Sequence, residues 1–322
     1  MTARLAPWRN ELLLLGLILV AAVWASLSSP FYLNAGQITY SLQQSIAIVG
    51  LLALGLMPVM VIGEIDISLP AIMALGNIAF ARLSQGGVGL VPALLVVLAM
   101  TTAAGLVNGW LVVAFRLPSL AVTLGAMGAY RALALLLGGQ EGYADFPDSY
   151  LGLGSGSIGP LPASLLLLLA AFVLFGFVLH ATVFGRLLYT VGSNSTAARM
   201  SGIPVGRVKI SAFALAGLTA GLAALVYIGQ YQSARADNAS DMLLFIVTAV
   251  VLGGVDIFGG SGNVVGLLLS LLLLGTLKNG MGLANLSGPV QTLVIGLVLI
   301  FAVLAAQFRT WRGSLPGWLG GG

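Results

Sequence analysis

Apolar residues run in long blocks along this chain, interrupted by short clusters of glycine, proline, serine and charge. A helix that crosses a bilayer needs about 20 mostly apolar residues. Ten stretches meet or approach that length: 12–28, 44–62, 68–84, 90–114, 119–138, 163–180, 211–229, 242–258, 264–280 and 290–307. The second and third are separated only by Gly63-Glu64-Ile65-Asp66, so nine or eleven helices also fit the pattern. The first block has a second reading. Arg4 and Arg9 precede an apolar core that ends in small residues, as in a secretory signal, but the core is long for one. We read it as a retained helix. The pattern predicts an all-α polytopic membrane protein, one transmembrane domain over residues 1–322.

Two polar loops stand out. Residues 139–162 are rich in Gly, Ser and Pro, which predicts no long helix there. Residues 181–210 are compatible with a helix. Ser193-Asn194-Ser195 supplies capping residues, Thr196-Ala197-Ala198-Arg199-Met200 a short helix, and Gly202 with Pro204 a stop. Charge separates the two loops. The first holds Glu141, Asp145 and Asp148 without Lys or Arg, and the second holds Arg186, Arg199, Arg207 and Lys209 without an acid. Lys and Arg concentrate in cytoplasmic loops. With ten spans and a cytoplasmic N-terminus, nine basic residues lie inside (Arg4, Arg9, Arg116, Arg186, Arg199, Arg207, Lys209, Arg309, Arg312) and four outside (Arg82, Arg131, Arg235, Lys278). Both termini are therefore expected in the cytoplasm, with 181–210 inside and 139–162 outside. A faint repeat accompanies this layout: Gly63-Glu64-Ile65-Asp66-Ile67 and Gly253-Gly254-Val255-Asp256-Ile257 share G-x-[IV]-D-I, each after an apolar run. Duplicated halves are common in transporters.

Composition agrees. Of 322 residues, 59% are hydrophobic, and 13 basic and 9 acidic residues are the whole charge. A soluble chain of this length carries roughly 80 charged side chains. Mean hydropathy is +1.08. The net charge of +4 and pI near 9.6 do not indicate nucleic acid, because the basic residues are scattered between apolar runs. The chain has no Cys and one His, His180, which excludes disulfides, thiolate chemistry and a multi-histidine metal site. Its 44 glycines, about twice the ordinary share, suit close helix contact in lipid.

The chain lacks G-x-x-x-x-G-K-[ST], G-x-S-x-G and H-E-x-x-H. The cluster Gly259-Gly260-Ser261-Gly262 reads as a turn between spanning helices rather than a phosphate cradle. If transport is active, another subunit must therefore supply the energy, and no cofactor is expected in this chain. Intramembrane ionisable residues are functional candidates by default. Glu64 and Asp66 offer either a proton or cation pathway, or interfacial caps for the following helix. Arg131, about two turns before the end of its helix, reads as a snorkelling anchor or a substrate contact. Asn77, Asn108 and Gln291 suit a polar path or interhelical hydrogen bonds. His180 reads as a helix-end residue, and Gly105-x-x-x-Gly109 and Gly217-x-x-x-Gly221 as close helix crossings.

Several strings together resemble bacterial ABC sugar permeases of the ribose type. Gly63-Glu64-Ile65-Asp66-Ile67-Ser68 with Ala74-Leu75 resembles their G-G-I-D-L-S…A-L. Tyr130-Arg131-Ala132-Leu133-Ala134 with Gly138-Gly139 resembles Y-R-G-L-A…G-G. Gly185-Arg186, Val191-Gly192-Ser193-Asn194, Ala197-Ala198-Arg199 and Ser201-Gly202-Ile203 resemble their G-R-x-x-x-A-x-G-x-N-x-x-A-A-x-x-S-G-I loop. Thr248-Ala249-Val250-Val251-Leu252-Gly253-Gly254 with Gly259-Gly260-Ser261-Gly262 is similar to A-A-V-V-L-G-G…G-G-x-G. The strings keep family order from about residue 45 to 307. Glu64 replaces the usual second Gly, Leu69-Pro70 replaces V-G, and Asp256 stands where Ser is common. Ser233-Ala234-Arg235-Ala236-Asp237 and 256–262 look most like permeases for autoinducer-2 or rhamnose.

The resemblance implies an inner-membrane permease domain working as a homo- or heterodimer of permeases. It also implies two cytoplasmic ATPase domains and a periplasmic substrate-binding protein, with no nucleic acid. It further implies that 181–210 contains the coupling helix, placing Asn194, Ser195, Ala197, Ala198, Arg199, Met200, Ser201 and Gly202 against the ATPase. The small Ala pair would let that helix enter a cleft. Glu64, Asp66, Asn77, Asn108 and Arg131 are the candidates for a translocation path or gate. The alternative is a secondary transporter coupled to protons or sodium through Glu64 and Asp66. An intramembrane enzyme is disfavoured for want of a nucleophile–base set.

Overall fold

The computed structural model describes residues 9–139 and 141–314. Its elements are α1 (Arg9–Ser28), α2 (Ala35–Val61), α3 (Leu69–Gln85), α4 (Leu90–Ala114), α5 (Ser119–Gly138) and α6 (Asp148–Ser155). A two-residue hairpin, β1 (Ser157–Ile158) with β2 (Leu161–Pro162), leads to α7 (Ala163–Ala181), α8 (Val183–Ser193) and α9 (Ser195–Met200). The chain continues through α10 (Val205–Tyr231), α11 (Met242–Leu252), α12 (Val264–Leu283) and α13 (Gly288–Ser314).

Among the described residues seven helices (α1, α2, α4, α5, α7, α10 and α12) are long and apolar enough to cross a membrane. The runs expected at 68–84, 242–258 and 290–307 fall on α3, α11 and α13. The 17 residues of α3 span about 26 Å, and the 11 of α11 about 16 Å, against a hydrocarbon core of about 30 Å. The helix expected over 242–258 stops at Leu252. Gly254 adopts φ +87°, and the Val255 amide bonds back to the Val250 carbonyl at 3.3 Å, a left-handed stop that glycine allows without strain. The same device ends α2, where Gly63 has φ +75° and the Glu64 amide reaches the Val59 carbonyl at 3.0 Å. Conversely, α2 and α10 start before their apolar blocks, at Ala35 and Val205. Polar residues in the early turns, such as Gln43-Gln44 in α2 and Arg207 to Lys209 in α10, extend a helix without adding hydropathy.

The bundle is built around α2. Of its spanning stretch 89% is buried, against 17% for α5, so α5 keeps most of its surface for lipid or another subunit. Helix α10 packs on α2 and α3 and crosses α4 most closely. A Cβ at Gly105 would meet the Phe213 carbonyl, and one at Gly217 the Thr101 carbonyl. The two G-x-x-x-G motifs therefore face each other at one crossing. Helix α1 lies along α12, with Trp24 and Ala25 over Gly280 and the Glu11 carboxylate accepting from Asn263 Nδ2 at 2.6 Å.

One end of the bundle gathers the 62–68 and 253–263 turns, the α4–α5 connection, α8, α9 and the start of α10. The opposite end gathers α6, the α3–α4 turn and the 232–241 loop, through Tyr150 OH donating to the Val88 carbonyl and Tyr143 bridging backbone to Ala234. Among its described residues, loop 139–162 holds the eight-residue α6 and the hairpin and no long helix, as its composition predicts.

Candidate functional site

The two G-x-[IV]-D-I segments are structural counterparts and touch each other. Each follows a glycine-stopped helix, and in each the Asp Oδ1 accepts the amide two residues on. Asp66 takes the Ser68 amide at 2.8 Å, and Asp256 the Phe258 amide at 2.9 Å. The Gly260 amide donates to the Val61 carbonyl at 2.8 Å, and a Cβ at Gly63 would sit 3.0 Å from the Phe258 carbonyl oxygen. The end of α8 closes on this junction: a Cβ at Gly192 would meet the Val61 carbonyl, and Tyr189 OH donates to the Gly262 carbonyl at 2.9 Å. The end of α8 thus contacts both interrupted segments.

Unwound backbone inside a membrane bundle must find polar partners in the protein. Segment 62–68 finds them on α5, where the Ile65 amide donates to Ser119 Oγ at 3.0 Å and the Ile67 amide to Thr123 Oγ1 at 3.4 Å. Asp66 is fully buried. Ser68 Oγ donates to its Oδ1 at 2.6 Å, and Asn108 Nδ2 donates to Ser68 Oγ at 2.8 Å. The Tyr130 hydroxyl lies 2.9 Å from both Asn108 Oδ1 and the Ala104 carbonyl. A buried polar chain Asp66–Ser68–Asn108–Tyr130 therefore ties the unwound segment to α4 and α5, and Asp66 Oδ2 has no hydrogen-bond partner among the described residues.

Glu64 faces another way. Its carboxylate accepts from Lys209 Nζ on α10, with side-chain exposures of 14% and 21%. Glu64 is therefore an ion-pair residue rather than a cap of α3, whose N-cap position is Ser68. The two acids belong to separate networks.

In the polar loop, Asn194 caps α9, its Oδ1 accepting the Ala197 amide at 2.9 Å. The Ala pair divides. Ala198 is 1% exposed within the core, while Ala197, Arg199 and Met200 face outward. The expectation that both alanines enter a partner's cleft is corrected for Ala198: neighbours on a helix point about 100° apart. Beside α9 opens a groove of about 890 Å³ whose charged residues are Arg116, Arg199, Arg207, Lys209 and Glu64.

The other expected residues are scattered. Asn77 is fully buried on α3 and its amide finds no partner among the described residues. Arg131 has a buried Nε, likewise without a partner. Gln291 bonds locally to the Leu286 carbonyl at 2.9 Å, and His180 stacks on Tyr189 with ring centroids 6.3 Å apart. In the 232–241 loop, Arg235 bonds Asp237 at 2.9 Å and holds its carboxyl below the usual carboxylate range. Sequence reasoning missed Lys209 as the partner of Glu64, and Ser119, Thr123 and Tyr130 as supports of the unwound segment. Only Tyr130 lay in a string already singled out.

Two helices interrupted at touching turns, a capped polar helix beside them and a largely exposed α5 mark this helical bundle. The comparisons name its kind: the chain belongs to the family described as "Branched-chain amino acid transport system / permease component", which matches residues 38–303. It is an ABC permease subunit of the ribose, or sugar, type and resides in the inner membrane. It is similar to the "Autoinducer 2 import system permease protein LsrD" of Escherichia coli and of Shigella flexneri. The identity is 32% over 315 residues, covering 96% of this chain and 95% of each relative. No solved structure matches the chain.

Proposed function

We propose that this permease carries autoinducer-2, or a closely similar sugar-like molecule, into the cytoplasm at the expense of ATP hydrolysed by a separate ATPase subunit. ATP and Mg belong to that partner, and a periplasmic binding protein delivers the cargo to a pair of permeases. The likeness to the autoinducer-2 permeases over nearly the full chain supports this substrate over rhamnose. The chain makes ten passes with both termini in the cytoplasm, a reading supported by the basic bias of the α9 end. The interrupted α2–α3 and α11–α12 pairs each count as two passes.

Residues 194–202 transmit the ATPase stroke. The observation that carries this is the capped α9, whose exposed face presents Ala197, Arg199 and Met200 while the adjoining Gly192 wedges against Val61 and Gly260. A force applied at α9 reaches both unwound segments through backbone contacts. Glu64, Asp66 and Asn108 then act as fixed points of the moving segment rather than as ion carriers, with Asn77 and Arg131 as the remaining polar groups of the path. The test is Ala197→Trp in the permease co-expressed with its ATPase. Loss of coupled uptake with normal membrane insertion is expected. Wild-type uptake and ATPase association would remove α9 from the mechanism.

A further inference from the structure

The groove beside α9 extends beyond the proposed coupling helix. Its basic residues come from three separate segments: Arg116 from the α4–α5 connection, Arg199 from α9, and Arg207 with Lys209 from the first turns of α10. Its one carboxylate, Glu64, is already taken by Lys209. Arg116, Arg199 and Arg207 make no ion pair among the described residues, and all three are exposed. Arg116 is held at φ 53°, in the short connection that joins α4 to the least buried spanning helix. Three unpaired guanidiniums around one cavity form a site for several negative charges at once, since each can grip a carboxylate with two parallel hydrogen bonds.

We propose that this groove receives an acidic segment of the ATPase partner, so that the α4–α5 connection, and not α9 alone, is gripped by the energy-supplying subunit. The inference rests on the ATPase reading above and adds the chemistry of the contact. Size argues for a peptide segment. At about 890 Å³ the groove is near the upper end of small-ligand sites, far larger than one phosphate group needs. The charges are also distributed along the groove over three elements rather than converging from one. Charge complementarity does the rest: the lining is basic, so the segment it accepts carries Asp and Glu. The consequence is mechanical. Pro118 and Ser119 begin α5 directly after the groove, and Ser119 holds the Ile65 amide of the unwound segment. Pulling on Arg116 therefore acts through Ser119 on the segment that follows Val61, which the end of α8 also touches.

The test is retention of the co-expressed ATPase on the purified permease as salt is raised from about 0.05 M to about 0.5 M. Arg116→Glu/Arg207→Glu is expected to reduce retention at low salt roughly tenfold or more. Arg116→Lys/Arg207→Lys is expected to keep most of it, and Arg116→Gln/Arg207→Gln, the variant least able to disturb folding, should fall between. Unchanged retention in the Glu and Gln pairs overturns the proposal. If Ala197→Trp releases the ATPase while the Glu pair does not, the coupling helix stands and the groove contact falls. If neither releases it, both fall. If the Glu pair strips anionic phospholipid from the permease but leaves the ATPase bound, the groove is a lipid site and the proposal is overturned.

Discussion

Lys209 on α10 donates to the Glu64 carboxylate across 145 positions of sequence and so fastens the start of one central helix to the unwound segment beside another. Both side chains are mostly shielded from water, so removing one partner leaves the other charge poorly solvated. Glu64→Gln should lower the stability of the purified permease by about 1–2 kcal/mol, the partial exposure reducing the cost of a fully buried break. Glu64→Gln/Lys209→Gln should recover part of that loss, and thermal unfolding of the wild type and these two variants measures the recovery. Equal stability of all three would show that the pair contributes nothing.

The Asp66–Ser68–Asn108–Tyr130 chain is satisfied at each link it uses, and Asn108 is its hub. Asn108→Ala leaves Ser68 Oγ without its donor and Tyr130 with only the Ala104 carbonyl. It is expected to cost about 1–3 kcal/mol, because the freed groups stay buried. Tyr130→Phe removes one hydroxyl and leaves one acceptor unmet, and should cost about 1 kcal/mol. Thermal unfolding in a fixed detergent checks the order of the two effects. Tyr130→Phe exceeding Asn108→Ala would contradict the placement of the hub.

At the α4–α10 crossing the two backbones meet with no room for a methyl group. Gly105→Ala or Gly217→Ala must separate the helices and should destabilise by about 1–3 kcal/mol. Gly176→Ala on α7, where a Cβ meets nothing within 4 Å, is the neutral control. The yield and melting temperature of folded permease report the contrast.

Much of this architecture is legible in the sequence because apolar length is a strong signal. The expected 90–114 and 119–138 coincide with α4 and α5. The signal fails where hydropathy and backbone conformation part company. Val255, Ile257 and Phe258 read as a continuation of α11, yet Gly254 has already turned the chain. The repeat was visible as four matched positions in five, but not that its two copies would touch. The partners of Glu64 and Asn108 were hidden for the same reason, since residues brought together by packing share no local spacing. Within α9 the composition gave the helix and its cap. Which alanine faces the core depends on how six residues sit on the bundle, and sequence does not state that.

The proposed direction of the chain across the membrane rests on the charge of its loops. The chain contains no cysteine. Single cysteines placed at Ser155, on α6, and at Ser195, on α9, should therefore react with an impermeant thiol reagent from opposite sides, Ser155→Cys from outside and Ser195→Cys from inside. Labelling of both from outside would contradict the ten-pass arrangement.

The energy source is the central claim, and uptake by the reconstituted permease, ATPase and binding protein measures it directly. Autoinducer-2 accumulation should require ATP inside, persist when an uncoupler collapses the proton gradient with ATP maintained, and stay so in Glu64→Gln. Accumulation that continues without ATP and disappears with the proton or sodium gradient would contradict the account and make Glu64 and Asp66 the coupling groups instead.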